Sequence, residues 1–230
     1  MKLSIIVPCY NEQENIPLIL KSFEKVANYG DIEVIIVNNG STDNSEQVIN
    51  ENLPLYAFAK SIKVDKNQGY GFGVLSGLKV AQGEYIGWIH ADMQVSPKEL
   101  IKVLDIINNE NSEKLFIKGS RKNRGLIDSF ITFGMSCFES ILFKQKLFDI
   151  NSQPNIFSRD LLKNLEQAPN DYMLDLFVFK EAINQNYKII RFPVRFQKRA
   201  FGVSSWNKGL FAKYKFIKRT IEFSLELKKV

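Results

Sequence analysis

Apolar and polar positions fall in blocks along the first half of the chain, and the blocks predict strand, polar loop and helix in repeating order. Leu3-Ser4-Ile5-Ile6-Val7 runs into Pro8-Cys9-Tyr10-Asn11-Glu12. Val34–Val37 runs into Asn38-Asn39-Gly40-Ser41-Thr42-Asp43, and Tyr85–Ile89 into His90-Ala91-Asp92-Met93-Gln94. Ile16, Leu18, Ile19, Leu20, Phe23 and Val26 recur at helical spacing, which predicts a helix from Glu14 to about Asn28, with Pro17 tolerated in its first turn. A second strand over Ile32–Val37 leads to a helix that Ser41 or Asp43 would cap. Ser61–Val64 reads as a short third strand, and Asn67–Gly73 opens a helix running to Val80. Glu84–Ile89 forms a fourth strand after Gly83, Pro97 starts a helix to about Asn108, and Leu115–Lys118 gives a fifth strand. That order calls for an α/β fold with a mostly parallel central sheet and helices on both faces. In such sheets ligands bind beyond the carboxyl ends of the strands, so the polar clusters mark one candidate site.

Beyond Arg121 the pattern changes. Residues 126–148 read as one or two helices, Met173–Asn186 as a helix, and Tyr187–Val194 as a strand before a basic tail. A hydrophobic content of 45% with 24% charged residues fits a globular domain rather than a disordered chain. There is no internal repeat or linker, so a single domain is expected. No apolar run approaches the ~20 residues of a membrane-spanning helix, and the N-terminal run is cut too early by Pro8 to read as a signal peptide. Both features lead us to expect a cytoplasmic protein. Cys9 and Cys137 are too few for a disulfide framework or a thiolate metal site.

Net charge is +6 but uneven. Residues 195–230 hold ten Lys/Arg and two Glu, so residues 1–194 are net −2. A nucleic-acid-coating role is therefore not expected.

The glycines of Asn67-Gln68-Gly69-Tyr70-Gly71-Phe72-Gly73 lack the G-x-G-x-x-G spacing and follow the third strand, which argues against a dinucleotide-binding dehydrogenase. They serve either a close backbone approach to a ligand or a turn. His90, Asp92 and Gln94 alternate, so an extended segment would turn all three to one side. Imidazole, carboxylate and amide oxygen are all ligands for a divalent ion. The plainer alternative makes Asp92 a solvated loop carboxylate and Ser96 a cap ahead of Pro97.

Five motifs in order carry a resemblance. Ile5–Glu12, Asn38–Asp43, His90–Gln94, Gly119-Ser120-Arg121 and Arg199-Ala200-Phe201-Gly202-Val203-Ser204-Ser205 together resemble the family 2 glycosyltransferases, and most of all their polyprenyl-phosphate (dolichyl-phosphate mannosyltransferase-like) branch. The resemblance covers about residues 3–206. It implies a GT-A fold over residues 1–206 and an inverting transfer from a nucleotide-diphospho-sugar to a polyprenyl-phosphate or glycan acceptor, in surface polysaccharide or glycolipid synthesis. By position, Pro8, Tyr10, Asn11, Glu12, Asn39, Gly69 and Ala91 would line the nucleotide-sugar pocket. Asp92 and Gln94, with His90 beside them, would hold Mg²⁺ or Mn²⁺. Arg121 would meet an anionic acceptor, and Arg199, Ser204 and Ser205 would close over the phosphates. A hydroxyl acceptor would need a carboxylate base; Asp149 and Asp175 are candidates, each equally readable as a structural hydrogen-bonding partner. Competing readings are a degenerate nucleotide-sugar binder without turnover and a nucleotidyltransferase; Asn11-Glu12 is not the basic, glycine-rich loop the latter wants.

The chain departs from the family pattern at three places. His90 stands where a carboxylate is usual, Asn38-Asn39 where an Asp pair is usual, and Phe133 where a second acceptor-phosphate Arg is usual. The imidazole favours Mn²⁺ over Mg²⁺. Residues 207–230 mix Leu210, Phe211, Tyr214, Ile217, Ile221 and Leu225 with Lys213, Lys215, Lys218 and Arg219. This pattern is either a basic amphipathic helix lying peripherally on the anionic inner face of the cell membrane or a helix packed on the core.

Overall fold

Side-chain parity along the strands divides the interior into two layers. The computed structural model describes residues 1–122, 126–202 and 210–229. β1 (Leu3–Cys9) sends Leu3, Ile5, Val7 and Cys9 to one face and Ile6 to the other. β2 (Ile32–Asn39) repeats this with Ile32, Val34 and Ile36 against Ile35 and Val37. On the first face lie α1 (Ile16–Ala27) and α4 (Leu100–Asn109), packed through Ile19, Phe23, Val103 and Ile107. On the second lie α3 (Tyr70–Val80) and α6 (Leu174–Asn184), packed through Val74, Leu78, Leu174 and Val178. Period 2 in the strands and period 3.6 in the helices thus bury both faces of the sheet.

Among the described residues the sheet has seven strands. The others are β3 (Ala59–Val64), β4 (Tyr85–Trp88), β5 (Leu115–Lys122), β6 (Asn155–Ser158) and β7 (Lys188–Arg195), in the order β3-β2-β1-β4-β6-β5-β7. Only β6 runs antiparallel within it, between β4 and β5. β6 escapes a pattern reading because its four residues hold just two apolar side chains. α2 (Ser45–Asn52) follows β2, and Asp43 accepts from Ser45 N at 2.9 Å at its start. Residues 126–143 form one helix, α5 (Leu126–Phe143). Pro97–Glu99 is a 3₁₀ turn, capped by Ser96, that leads into α4.

α7 (Leu210–Lys229) packs one side on the domain and leaves another open. Leu227, Thr220 and Ser224 are buried, Tyr172 stacks on Phe216 with centroids 4.6 Å apart, and Arg219 Nε meets Asp171 Oδ2 at 2.8 Å. Phe211, Tyr214 and Leu225 stay exposed. No helix among the described residues is long and apolar enough to cross a membrane.

The glycines before α3 answer the question the sequence left open. A Cβ on Gly71 would lie 2.4 Å from Pro169 O, and one on Gly69, at φ +114°, would lie 2.4 Å from Asn170 O. The close approach is to the chain's own 169–171 loop, whose Asn170 O accepts from Phe72 N at 3.0 Å. Gly71→Ala should therefore destabilise the fold by about 1–3 kcal/mol, the usual cost of forced overpacking. Gly134→Ala in α5, where a Cβ meets nothing within 4 Å, should be neutral or stabilising. Urea unfolding of both variants checks the contrast.

Candidate active site

The loops after β1 and β2 are stitched to each other. Asn11, at φ +57°, accepts from Thr42 N at 2.8 Å through Oδ1 and donates from Nδ2 to Thr42 Oγ1 at 3.2 Å. Asn11 N donates to Ser41 Oγ, and Glu12 N to Ser45 Oγ at 2.9 Å. The two loops are thereby tied to each other beside Pro8 and the exposed Tyr10. Glu12 sits half-buried; burial, with Asp92 nearby, raises its carboxyl against the offsetting pull of Asn15, Arg199 and His90. Burial likewise raises the Cys9 thiol far above its ordinary value, which makes it an inert core residue.

Asn38 and Asn39 end β2 buried. Asn38 Oδ1 accepts from Ser41 N, and Asn39 Nδ2 donates to Gly69 O at 3.0 Å. Asn39 Oδ1 is buried without a hydrogen-bond partner, which leaves an acceptor at this sheet edge.

Asp92 is the centre. It is only 3% exposed, next to the buried Ala91. Oδ1 accepts from Gln94 N at 3.0 Å, Arg199 Nη2 lies 2.9 Å from Oδ2, and His90 Nδ1 is 3.8 Å from Oδ2. The Arg199 contact is close but not aligned as a hydrogen bond, so Oδ2 has no hydrogen-bond partner. Burial raises the Asp92 carboxyl, but His90, Arg199 and the Gln94 N–H outweigh it and hold the group below its ordinary value. An ionised, buried oxygen with an unfilled acceptor position suits a divalent cation, and His90 and Gln94 are the neighbouring donors. Among the described residues no group of three or more His, Cys, Asp or Glu forms a self-sufficient metal cage, so such a cation would need ligands from elsewhere.

His90 begins a buried polar chain that the sequence did not reveal. His90 Nε2 is 3.1 Å from Tyr70 Oη, and Gln153 Nε2 reaches both Tyr70 Oη at 3.3 Å and Asp175 Oδ1 at 2.9 Å. Asn155 Nδ2 donates to the same Asp175 oxygen at 2.6 Å, and Lys118 Nζ donates to Asn155 Oδ1 and to Ser152 O. Burial raises Asp175 despite Lys118 and His90 nearby, and burial pushes the Lys118 ammonium down to about 7. Lys118 shares its parity with the inward Phe116, and that inward charge was the available signal. Asn155, in the short β6, gave none.

Asp149 spends both oxygens on Arg121. Oδ2 accepts from Arg121 N at 2.8 Å and Oδ1 from Nε at 2.8 Å, with Nη2 completing the pair. Asp175 gives Oδ1 to two amides. Of the predicted residues, Asp92, Gln94, His90, Glu12 and Arg199 gather at one centre, while Arg121 and Asp149 lie together on the β5 side. Ser204 and Ser205 lie outside the described residues.

Residues 4–166 match the sequence profile described as Glycosyl transferase family 2. A dolichol-phosphate mannosyltransferase from Pyrococcus furiosus is 24% identical over 239 residues, covering all of this chain and 66% of that protein. A prophage bactoprenol glucosyl transferase homolog from Escherichia coli is 27% identical over 173 residues, covering 74% of this chain and 56% of that protein. The chain thus spans less than two thirds of the length of both. A solved structure of glucosyl-3-phosphoglycerate synthase from Mycobacterium tuberculosis, in complex with Mn²⁺, UDP and glucosyl-3-phosphoglycerate, superposes with a TM-score of 0.75 at 16% identity over 99% of this chain and 79% of that one. The expected mostly parallel α/β architecture is therefore a shared fold.

The Arg121–Asp149 pair supports a stability prediction. Their side chains are 10% and 5% exposed, so Asp149→Asn strands a buried guanidinium and should cost about 3–5 kcal/mol. Although burial raises it, Arg121 holds the folded Asp149 carboxyl below its ordinary value. The stabilisation is therefore complete above the unfolded pKa of about 4 and is lost as pH falls through the folded value. Unfolding free energies of both proteins between pH 2 and 7 should converge at the acid end.

Proposed function

This chain belongs to glycosyl transferase family 2, and from that premise we propose that it transfers a sugar from a nucleotide-diphospho-sugar to an anionic acceptor with inversion at the anomeric carbon. The carrying observation is Asp92, ionised and sealed at the carboxyl edge of the sheet with an unfilled oxygen. Mg²⁺ or Mn²⁺ held by Asp92, with His90 and Gln94, would supply Lewis-acid stabilisation of the diphosphate charge. That the solved relative was captured with Mn²⁺ and UDP supports the same choice.

The loops after β1 and β2 would seat the nucleotide, with Asn39 Oδ1 offered to a donor N–H. An acceptor oxygen attacks the anomeric carbon from the face opposite the diphosphate. The bond from that carbon to the diphosphate oxygen breaks, and its electron pair leaves with the nucleoside diphosphate. A hydroxyl acceptor would have to lose a proton, yet Asp149 is closed on Arg121 and Asp175 is tied to two amides. A phosphate monoester arrives ionised and needs no base. This supports a polyprenyl-phosphate over a glycan acceptor, as do the names of the two relatives. Asp149 would then be an orienting partner that aims Arg121 at the acceptor's phosphate.

A polyprenyl acceptor resides in a bilayer, and the exposed Phe211, Tyr214 and Leu225 of α7, with Lys215 and Lys218 among them, suit docking on its anionic surface. Flotation with anionic liposomes should carry the protein at low salt and release it at high salt; failure to float at low salt removes the membrane reading.

The function itself is tested with a panel of UDP-, GDP-, CDP- and dTDP-sugars and Mn²⁺. One donor should raise the melting temperature and release sugar. Asp92→Ala should cut that release roughly a hundredfold or more while leaving the fold intact. Indifference to every donor would refute the proposal.

A further inference from the structure

The segment Gln197–Ala200 crosses the Asp92–Gln94 loop as a strap. Gln197 N donates to Gln94 O at 2.8 Å, Gln94 Nε2 donates to Gln197 O at 3.2 Å, and Ala200 N reaches Asp92 O at 3.5 Å. Arg199 projects from the same segment onto Asp92, Nη2 to Oδ2 at 2.9 Å. Charge rather than a directional bond holds this contact, because Asp92 Oδ2 and Arg199 Nε are both buried without hydrogen-bond partners. The carboxylate a cation would use and the guanidinium a diphosphate would use are occupied with each other.

We propose that Arg199 is an internal counter-ion for Asp92. It must leave that carboxylate before a divalent cation binds, and once released it becomes the partner of the donor's diphosphate. This rests on the reading of Asp92 as the cation site. Two cations crowded on one carboxylate repel, so a metal alone binds against the cost of freeing a guanidinium from a protein ion pair. A diphosphate offsets that cost by giving the guanidinium a new anion. Cation and diphosphate are then positively coupled, and linkage makes the coupling reciprocal.

The test measures Mn²⁺ binding to the full chain by the loss of the free-ion EPR signal, with no sugar or acceptor present. Arg199→Gln should bind Mn²⁺ roughly tenfold tighter than the unaltered protein, the factor that about 1.4 kcal/mol of released pairing gives. Adding Asp92→Asn to that variant should abolish the gain. UDP should tighten Mn²⁺ binding to the unaltered protein by a larger factor than to Arg199→Gln. In thermal unfolding the single variant should melt lower without Mn²⁺ and be raised more by it, because buried Asp92 has lost its guanidinium partner. Mn²⁺ binding no tighter in Arg199→Gln, absent from both proteins, or retained in the double variant overturns the inference; equal UDP factors overturn the coupling. An inactive protein can still pass this test and an active one can fail it, so its outcome is separate from that of the transferase reading.

Discussion

A carboxylate cut off from water has to be matched by positive charge, and that requirement at Asp92 organises the rest of the site. Desolvation alone would protonate the group. Instead the imidazole of His90 and the backbone N–H of Gln94 close on it from its own loop, and the Arg199 guanidinium reaches it from the segment after β7. None of these contacts is local packing of a hydrophobic kind. They exist because β1 and β4 are buried partners deep in the sheet, so the β4 loop emerges where water is already scarce.

Such a centre needs a stiff surround, since a buried charge shifted by an ångström loses its partners. The stiffness comes from two devices. One is the reciprocal bonding of Asn11 with Thr42, which ties the β1 and β2 loops together at the cost of a left-handed Asn11. The other is the contact of Gly69 and Gly71 with the 169–171 backbone, which fixes the start of α3 and so places Tyr70 against His90. From Tyr70 the chain through Gln153, Asp175 and Asn155 reaches Lys118, and Lys118 pairs in register with Arg191 on β7. The cation side and the β5–β7 side are thus joined through hydrogen bonds rather than through the apolar core.

Much of this was legible in the sequence because local chemistry carried it. Ile5–Val7 and Val34–Val37 have to be buried strands, and Asn11, Asn38 and Asp92 sit where such strands end. What the sequence hid was long-range. Nothing in Gly69-Tyr70-Gly71 says that the backbone coming close is the protein's own at Pro169 and Asn170, a hundred residues on. Asp149 was readable as a base or as a structural partner, and the sequence could not choose because Arg121, which takes both its oxygens, is 28 positions earlier. β6 offered two apolar residues and so no period to detect, yet Asn155 within it holds Asp175 to Lys118. Sequence pattern finds where polar groups must emerge; it does not find which of them are already spent on one another.

That distinction decides how the two halves of the site divide their work on the proposed reading. Around β1, β2 and β4 the acidic groups Glu12 and Asp92 set the tone, and positive charge has to be brought in by Arg199 or by a cation. On β5 and β7 the balance is opposite, since among the described residues Lys118, Arg121 and Arg191 lie with Asp149 and Asp175. Burial lowers Lys118 and weakens the Arg191 guanidinium's hold on its proton, against the opposing pull of Asp175 and Asp149. A neutral hydroxyl entering that half would gain little from the excess and would find neither carboxylate open to take its proton. An anion would meet Arg121 already aimed by Asp149. On the proposed reading this half of the site therefore favours an acceptor that is ionised before it arrives.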